Sequence, residues 1–196
     1  MLIGEDEHTL TIKAFQPAKD RYVNFTMLKP HAAQDGLFVQ QFLNAAQIAA
    51  GMAHTNVLPV YDFGQREGIV FRISPFAESG SVQANLSRFY DLQNAKLLIS
   101  QITDGLTYIY ARGHIHGNLK SSTIFLNQEY RPMLAGFGIT QPSGYAGNPF
   151  LSPEQIQGGV VDQRTDVYAM GVLLYEVLTD VTPPVGIMVK PSSKRP

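Results

Sequence analysis

The side chains best suited to chemistry in this 196-residue chain lie close together, at His114, His116, Asn118, Lys120 and Thr123, with Gly136, Phe137 and Gly138 shortly after. Lys120 supplies a compact positive charge and, taken alone, reads as a surface lysine. Asn118 is an amide and cannot accept a proton near neutral pH, so it cannot serve as a general base. His114 and His116 have the spacing of a metal-binding pair, but the chain has no cysteine and no nearby acidic residue completes a shell. No metal site is expected, and both histidines read as core residues. A second cation, Arg72, shares a strand face with Ser74. Its guanidinium either snorkels out to water or turns inward.

The elements that must hold these groups follow from periodicity. Thr9 to Phe15 and Tyr22 to Leu28 alternate as strands around a turn at Lys19-Asp20. Asp35 and Gly36 open a helix whose buried stripe is Phe38, Phe42, Ala45, Ala46 and Ala49, ending near Gly51. Strands are expected at Val57 to Tyr61 and Ile69 to Ile73. A helix capped by Asp91 carries Leu98, Ile102, Leu106 and Ile109 and stops at Gly113. Ile124 to Leu126 and Met133 to Ala135 can pair as a ribbon, and a final helix from about Thr165 to Thr179 is apolar nearly all round.

Strands followed by helices are a weak guide, but the loops between them are specific. His116-Gly117-Asn118-Leu119-Lys120 resembles the H-R-D-L-K loop of protein kinases, and Gly136-Phe137-Gly138 resembles D-F-G. Ser152-Pro153-Glu154 resembles A-P-E, and Asp162 to Tyr168 resembles D-x-R-S-D-x-Y. The run from His54 to Gly64 is similar to bacterial Ser/Thr kinases, so the resemblance covers roughly Leu10 to Thr179. It implies an α+β, two-lobed kinase-like fold: a small β-rich lobe at 9–77, a mainly helical lobe at 78–180 and a proline-rich tail at 181–196. Only Gly4 precedes the second strand, so the glycine-rich loop, the first strand and the late helices of the large lobe are expected to be missing.

On the positions the resemblance assigns, much of the chemistry differs. The phosphate-pairing lysine falls on Thr26 and its glutamate partner on Ala45. The proton-accepting aspartate is Asn118, and the metal-binding positions are Thr123 and Gly136, which offer magnesium no carboxylate. His116, Phe137 and Asp166 match the family's structural spine and its anchor, and Lys120, Gly138 and Glu154 are also kept. Asn24, Ser74, Ala77 and Phe125 are expected to line a narrowed nucleotide pocket. Gly117 stands where many relatives carry a phosphate-receiving arginine, so Thr140, Ser143 and Tyr145 read as ordinary loop residues.

The expectation is therefore a pseudokinase: not an enzyme, without cofactor or bound magnesium-ATP, acting by binding proteins. The alternative is a weak or metal-independent nucleotide-binding Ser/Thr kinase. A homodimer or partner is expected on Val172, Leu173, Tyr175, Val177 and Leu178, left short of cover by the absence of later helices. Glu154 would then need a local partner such as Arg164. A net charge of −1 argues against nucleic acid. The absence of a leader or long apolar run points to a cytoplasmic chain.

Overall fold

The computed structural model of the chain describes residues 1–137 and 148–184. Its small lobe is an antiparallel sheet of β1 (Leu2–Glu5), β2 (Thr9–Gln16), β3 (Arg21–Leu28), β4 (Asp62–Arg66) and β5 (Ile69–Pro75), in the order β1-β2-β3-β5-β4. Register fixes what faces what. Thr11 pairs with Thr26 and Lys13 with Asn24, while across the other edge of β3 Thr26 pairs with Arg72 and Asn24 with Ser74. Opposed residues project to the same side of a sheet, so one face carries Thr11, Asn24, Thr26, Arg72 and Ser74 together.

After a one-turn helix α1 (Pro30–Ala33) comes α2 (Gly36–Ala50). Asp35 caps it by accepting from the Leu37 and Phe38 amides. Its buried stripe is the expected Phe38, Phe42, Ala45, Ala46 and Ala49. Phe38 and Phe42 join Leu28, Ala32 and Val70 in a small core that fixes α2 on the sheet.

The large lobe is built on α3 (Leu92–Tyr110), the ribbon β6 (Ile124–Leu126) and β7 (Pro132–Leu134), the short α4 (Pro153–Ile156) and α5 (Gln163–Thr179). Leu98, Ile102, Ile109, Ile124, Leu173 and Val177 meet in its main core. Full burial of such a side chain contributes about 1.5–3 kcal/mol. At Gly105 α3 passes so near the chain at Asn56 that an added Cβ would lie 2.9 Å from the Asn56 carbonyl oxygen and 2.9 Å from a Leu134 methyl. That contact sets α3 against the ribbon. Among the described residues no helix is long and apolar enough to cross a membrane.

Several expectations are corrected. The first strand exists: β1 pairs with β2, and Glu5 forms an ion pair with Lys29 at 2.6 Å. Val57 to Tyr61 is not a strand of the sheet. The Leu58 amide donates to the Leu134 carbonyl and the Leu134 amide to Asn56, so this apolar run docks on the ribbon and the strand begins at Asp62. Finally, Val172, Leu173, Tyr175 and Val177 are buried and Leu178 is partly so, because this side of α5 packs against α3 and the turn at Gln83–Phe89. The exposed apolar residues of α5 are instead Val167, Tyr168 and Leu174. Gly138, Thr140, Ser143, Tyr145 and most of the proline-rich tail lie outside the described residues.

Candidate active site

The floor of the site is pinned by one carboxylate. Asp166, in the first turn of α5 and 1% exposed, accepts hydrogen bonds from the His116 amide (2.9 Å), the Gly117 amide (2.8 Å) and the Tyr110 hydroxyl (3.1 Å). Burial, with the Asp166 charge second, pushes the Tyr110 phenol well above its ordinary range. The segment after His116 is thereby tied to both long helices of the lobe. Gln155 adds a tie that no motif signals: its side-chain amide donates to the Gly117 carbonyl at 2.7 Å.

His116 is fully buried, with its ring 5.8 Å from that of Phe137 and its Nδ1 accepting from the Asn118 amide at 3.3 Å. Burial pushes its pKa down to about 4, against the opposing pull of Asp166 and the Ala135 carbonyl. A folded-state value below the unfolded one means that the unfolded chain takes up the proton first. The stabilisation is complete above about pH 6.5 and is lost as pH falls toward the folded-state value, by up to about 3 kcal/mol. Urea unfolding between pH 7 and 4 should therefore show a shallower pH dependence in His116→Phe than in the unmodified protein, and equal slopes would refute this.

Asn118, Thr123 and Gly136, assigned to the proton acceptor and the metal positions, do come together. The Asn118 amide donates to the Gly136 carbonyl at 3.1 Å, and the Thr123 hydroxyl lies 3.0 Å from the Asn118 carbonyl oxygen. Gly136 has φ +73°, and a Cβ there would lie 3.6 Å from Thr123 and 3.7 Å from Asn118. The Asn118 side-chain NH2 and the Thr123 hydroxyl are thus engaged in holding the loop. No cluster of three or more His, Asp or Glu side chains able to hold a metal occurs among the described residues. Magnesium prefers carboxylate and free oxygen ligands, so these residues do not fit it.

Above them, between the lobes, lies a cavity of about 50 Å³ lined by Asn24, Thr26, Ala45, Arg72, Ser74 and Phe125, together with Gly136 and Phe137. That is room for roughly three or four waters, and Asn24, Ser74 and Phe125 are among the residues that line it. Ala77 is buried but does not line it. Thr11 and Thr26 hydroxyls are 3.0 Å apart, and the buried Asn24 Oδ1 has no hydrogen-bond partner. Of the alternatives for Arg72, the inward one holds. Its guanidinium lies 5.4 Å from the Phe42 ring centre and lines the cavity opposite Thr26.

Two cations feel the same carboxylate. Burial lowers the pKa of both Arg72 and Lys120, and Asp6 raises both. Asp6 sits in the β1–β2 turn, where its side chain accepts from the His8 amide (2.9 Å), the Thr9 amide (2.6 Å) and the Thr9 hydroxyl (2.8 Å). Glu154 accepts from the Thr165 hydroxyl at 2.7 Å, while Arg164, its expected partner, pairs with Asp162 at 2.8 Å.

The chain is similar to the serine/threonine-protein kinase pkn3 of Myxococcus xanthus, at 30% identity over 93% of this chain and 37% of that protein. It is also similar to the serine/threonine-protein kinase PrkC of Bacillus subtilis, at 27% identity over 84% of this chain and 27% of that protein. A third relative is the serine/threonine-protein kinase PknB of Mycobacterium leprae, at 28% identity over 85% of this chain and 29% of that protein. The chain thus spans roughly a third of the length of these relatives. Their names correct the expectation that the chain is not an enzyme: all three are called protein kinases, and the lost carboxylates identify absent groups without demonstrating absent transfer. The model of the protein kinase domain matches residues 1–188, and with the pinned loop, the two lobes and the cleft between them this establishes that the chain belongs to the protein kinase family.

Proposed function

We propose that this chain is a Ser/Thr-kinase-type domain that binds nucleotide weakly in the inter-lobe cleft and transfers phosphate slowly, without a carboxylate-held metal. The observation that carries this reading is Lys120. It sits, half-buried, on a loop held in place by Asp166, shortly after Asn118, whose side chain bonds to Gly136 in the lining of the inter-lobe cavity. A fixed cation at that point stabilises a phosphoryl group electrostatically, which is the larger part of what a kinase contributes. The relatives' names favour transfer. The chemistry of Asn118, Thr123 and Gly136 requires that it be slow and insensitive to magnesium.

A thermal-shift titration tests the reading. ATP should raise the unfolding temperature to the same extent in magnesium and in EDTA, because ligand bound only by the folded state must stabilise it. Adenosine should bind only in the millimolar range, about 4 kcal/mol, since the slot must open around Asn24 and Phe125. Slow autophosphorylation should survive EDTA and be abolished by Lys120→Ala. No shift with ATP, or a shift only with magnesium, would overturn the proposal.

A further inference from the structure

Arg72 is a charged group in an unusual position. It projects from β5 into the same face as Thr26 and lines the cavity beside Thr26 and Ala45, the positions that the family's pattern gives to a lysine and its glutamate. Among the described residues its guanidinium has no hydrogen bond and no ion pair; it lies 5.4 Å from the centre of the apolar Phe42 ring. A guanidinium that lines a cavity and is paired with no carboxylate has N–H donors free to take up an anion there. Of the other cations of the small lobe, Lys13 stacks on Tyr22 and Phe76, Arg21 on Tyr61, and Lys29 pairs with Glu5, while Lys19 and Arg66 are exposed and do not line the cavity.

We infer that Arg72 binds a phosphate group in the cleft, doing from β5 what a lysine on β3 would otherwise do, with Lys120 below it as the second cation. The inference rests on the nucleotide-binding reading given above and names the residue that holds the phosphates. A planar guanidinium binds phosphate by two parallel hydrogen bonds and needs no glutamate to orient it. This accounts for the loss at Thr26 and Ala45 together, where a lone glutamate would compete for Arg72. Asp6 projects its charge onto both cations, so phosphate binding works against it, and the site is weak for that reason.

The test uses the 196-residue chain with ATP, inorganic tripolyphosphate and adenosine, each titrated by thermal shift and by calorimetry in EDTA. Both phosphate ligands should bind the unmodified protein. Arg72→Met should weaken them by about tenfold or more, Arg72→Lys by less, and neither should change adenosine binding. Asp6→Asn should strengthen both by several fold and so reports on the site even if Arg72→Met lowers stability. Tripolyphosphate binding as tightly as ATP would assign the site to free polyphosphate, and tighter ATP would assign it to a nucleotide; both support the anion site. Equal phosphate affinity in Arg72→Met and the unmodified protein would overturn the role of Arg72 while leaving nucleotide binding intact. Failure of the unmodified protein to bind either phosphate ligand would overturn both.

Discussion

Asp166→Ala should lower the stability of the protein by about 3–5 kcal/mol, the range for removing one partner of a buried charged network. The substitution deletes an acceptor that serves two backbone amides and one phenol. At 1% exposure the site admits little water to replace it, and each orphaned donor costs roughly 1–3 kcal/mol. Asp166→Asn keeps the volume and one oxygen, so it should cost less, at about 1–3 kcal/mol. For a chain of this size the alanine variant should melt roughly 10 °C lower. The consequence reaches function, because the amides of His116 and Gly117 hold the loop that carries Lys120. An alanine variant within about 1 kcal/mol of the unmodified protein would show that the loop is held by packing alone.

Much of this anchor could be read from residue types. Asp162 to Tyr168 and His116 to Lys120 are local patterns, and the hydrogen bonds between them follow once both are recognised. The stripe on α2 was equally legible, since Phe38, Phe42, Ala45, Ala46 and Ala49 fall at helical spacing and all prove buried. What escaped was set by tertiary pairing. The first strand is four residues long, contains Gly4 and runs straight into the acidic turn at Asp6-Glu7, so no alternation marks it. Val57 to Val60 is as apolar as a strand, but it is the Leu134 carbonyl of β7 that takes the Leu58 amide. The apolar residues of α5 can be counted in the sequence, yet which of them α3 covers depends on the rotation of the helix. Gln155 shows the same limit: nothing in its neighbours reveals that its amide reaches Gly117, whereas Glu154 beside it carries the motif and accepts from Thr165 nearby.

The other large effect should come from returning carboxylates to the cleft. In Asn118→Asp the amide bond to the Gly136 carbonyl, now 3.1 Å long, is lost. A carboxylate is repelled by that oxygen and should turn toward the cleft, where it can take a proton; general-base catalysis contributes about 10²–10⁴-fold. Gly136→Asp fits sterically, since the contacts at 3.6 and 3.7 Å are ordinary ones. Its φ of +73° lies in the left-handed region, which Asp tolerates better than most residues. Two carboxylates this close repel each other until a cation joins them, so the double variant should be less stable than the unmodified protein in EDTA and should gain stability with magnesium. It should also transfer phosphate at least about 10²-fold faster than the unmodified chain, by more than the product of the two single variants, because such groups act as a unit. Phosphorylation rates and unfolding temperatures, measured with and without magnesium, decide the matter. A double variant with the unmodified rate and no magnesium-linked change in stability would mean that Asn118, Thr123 and Gly136, although adjacent, do not face the bound phosphate.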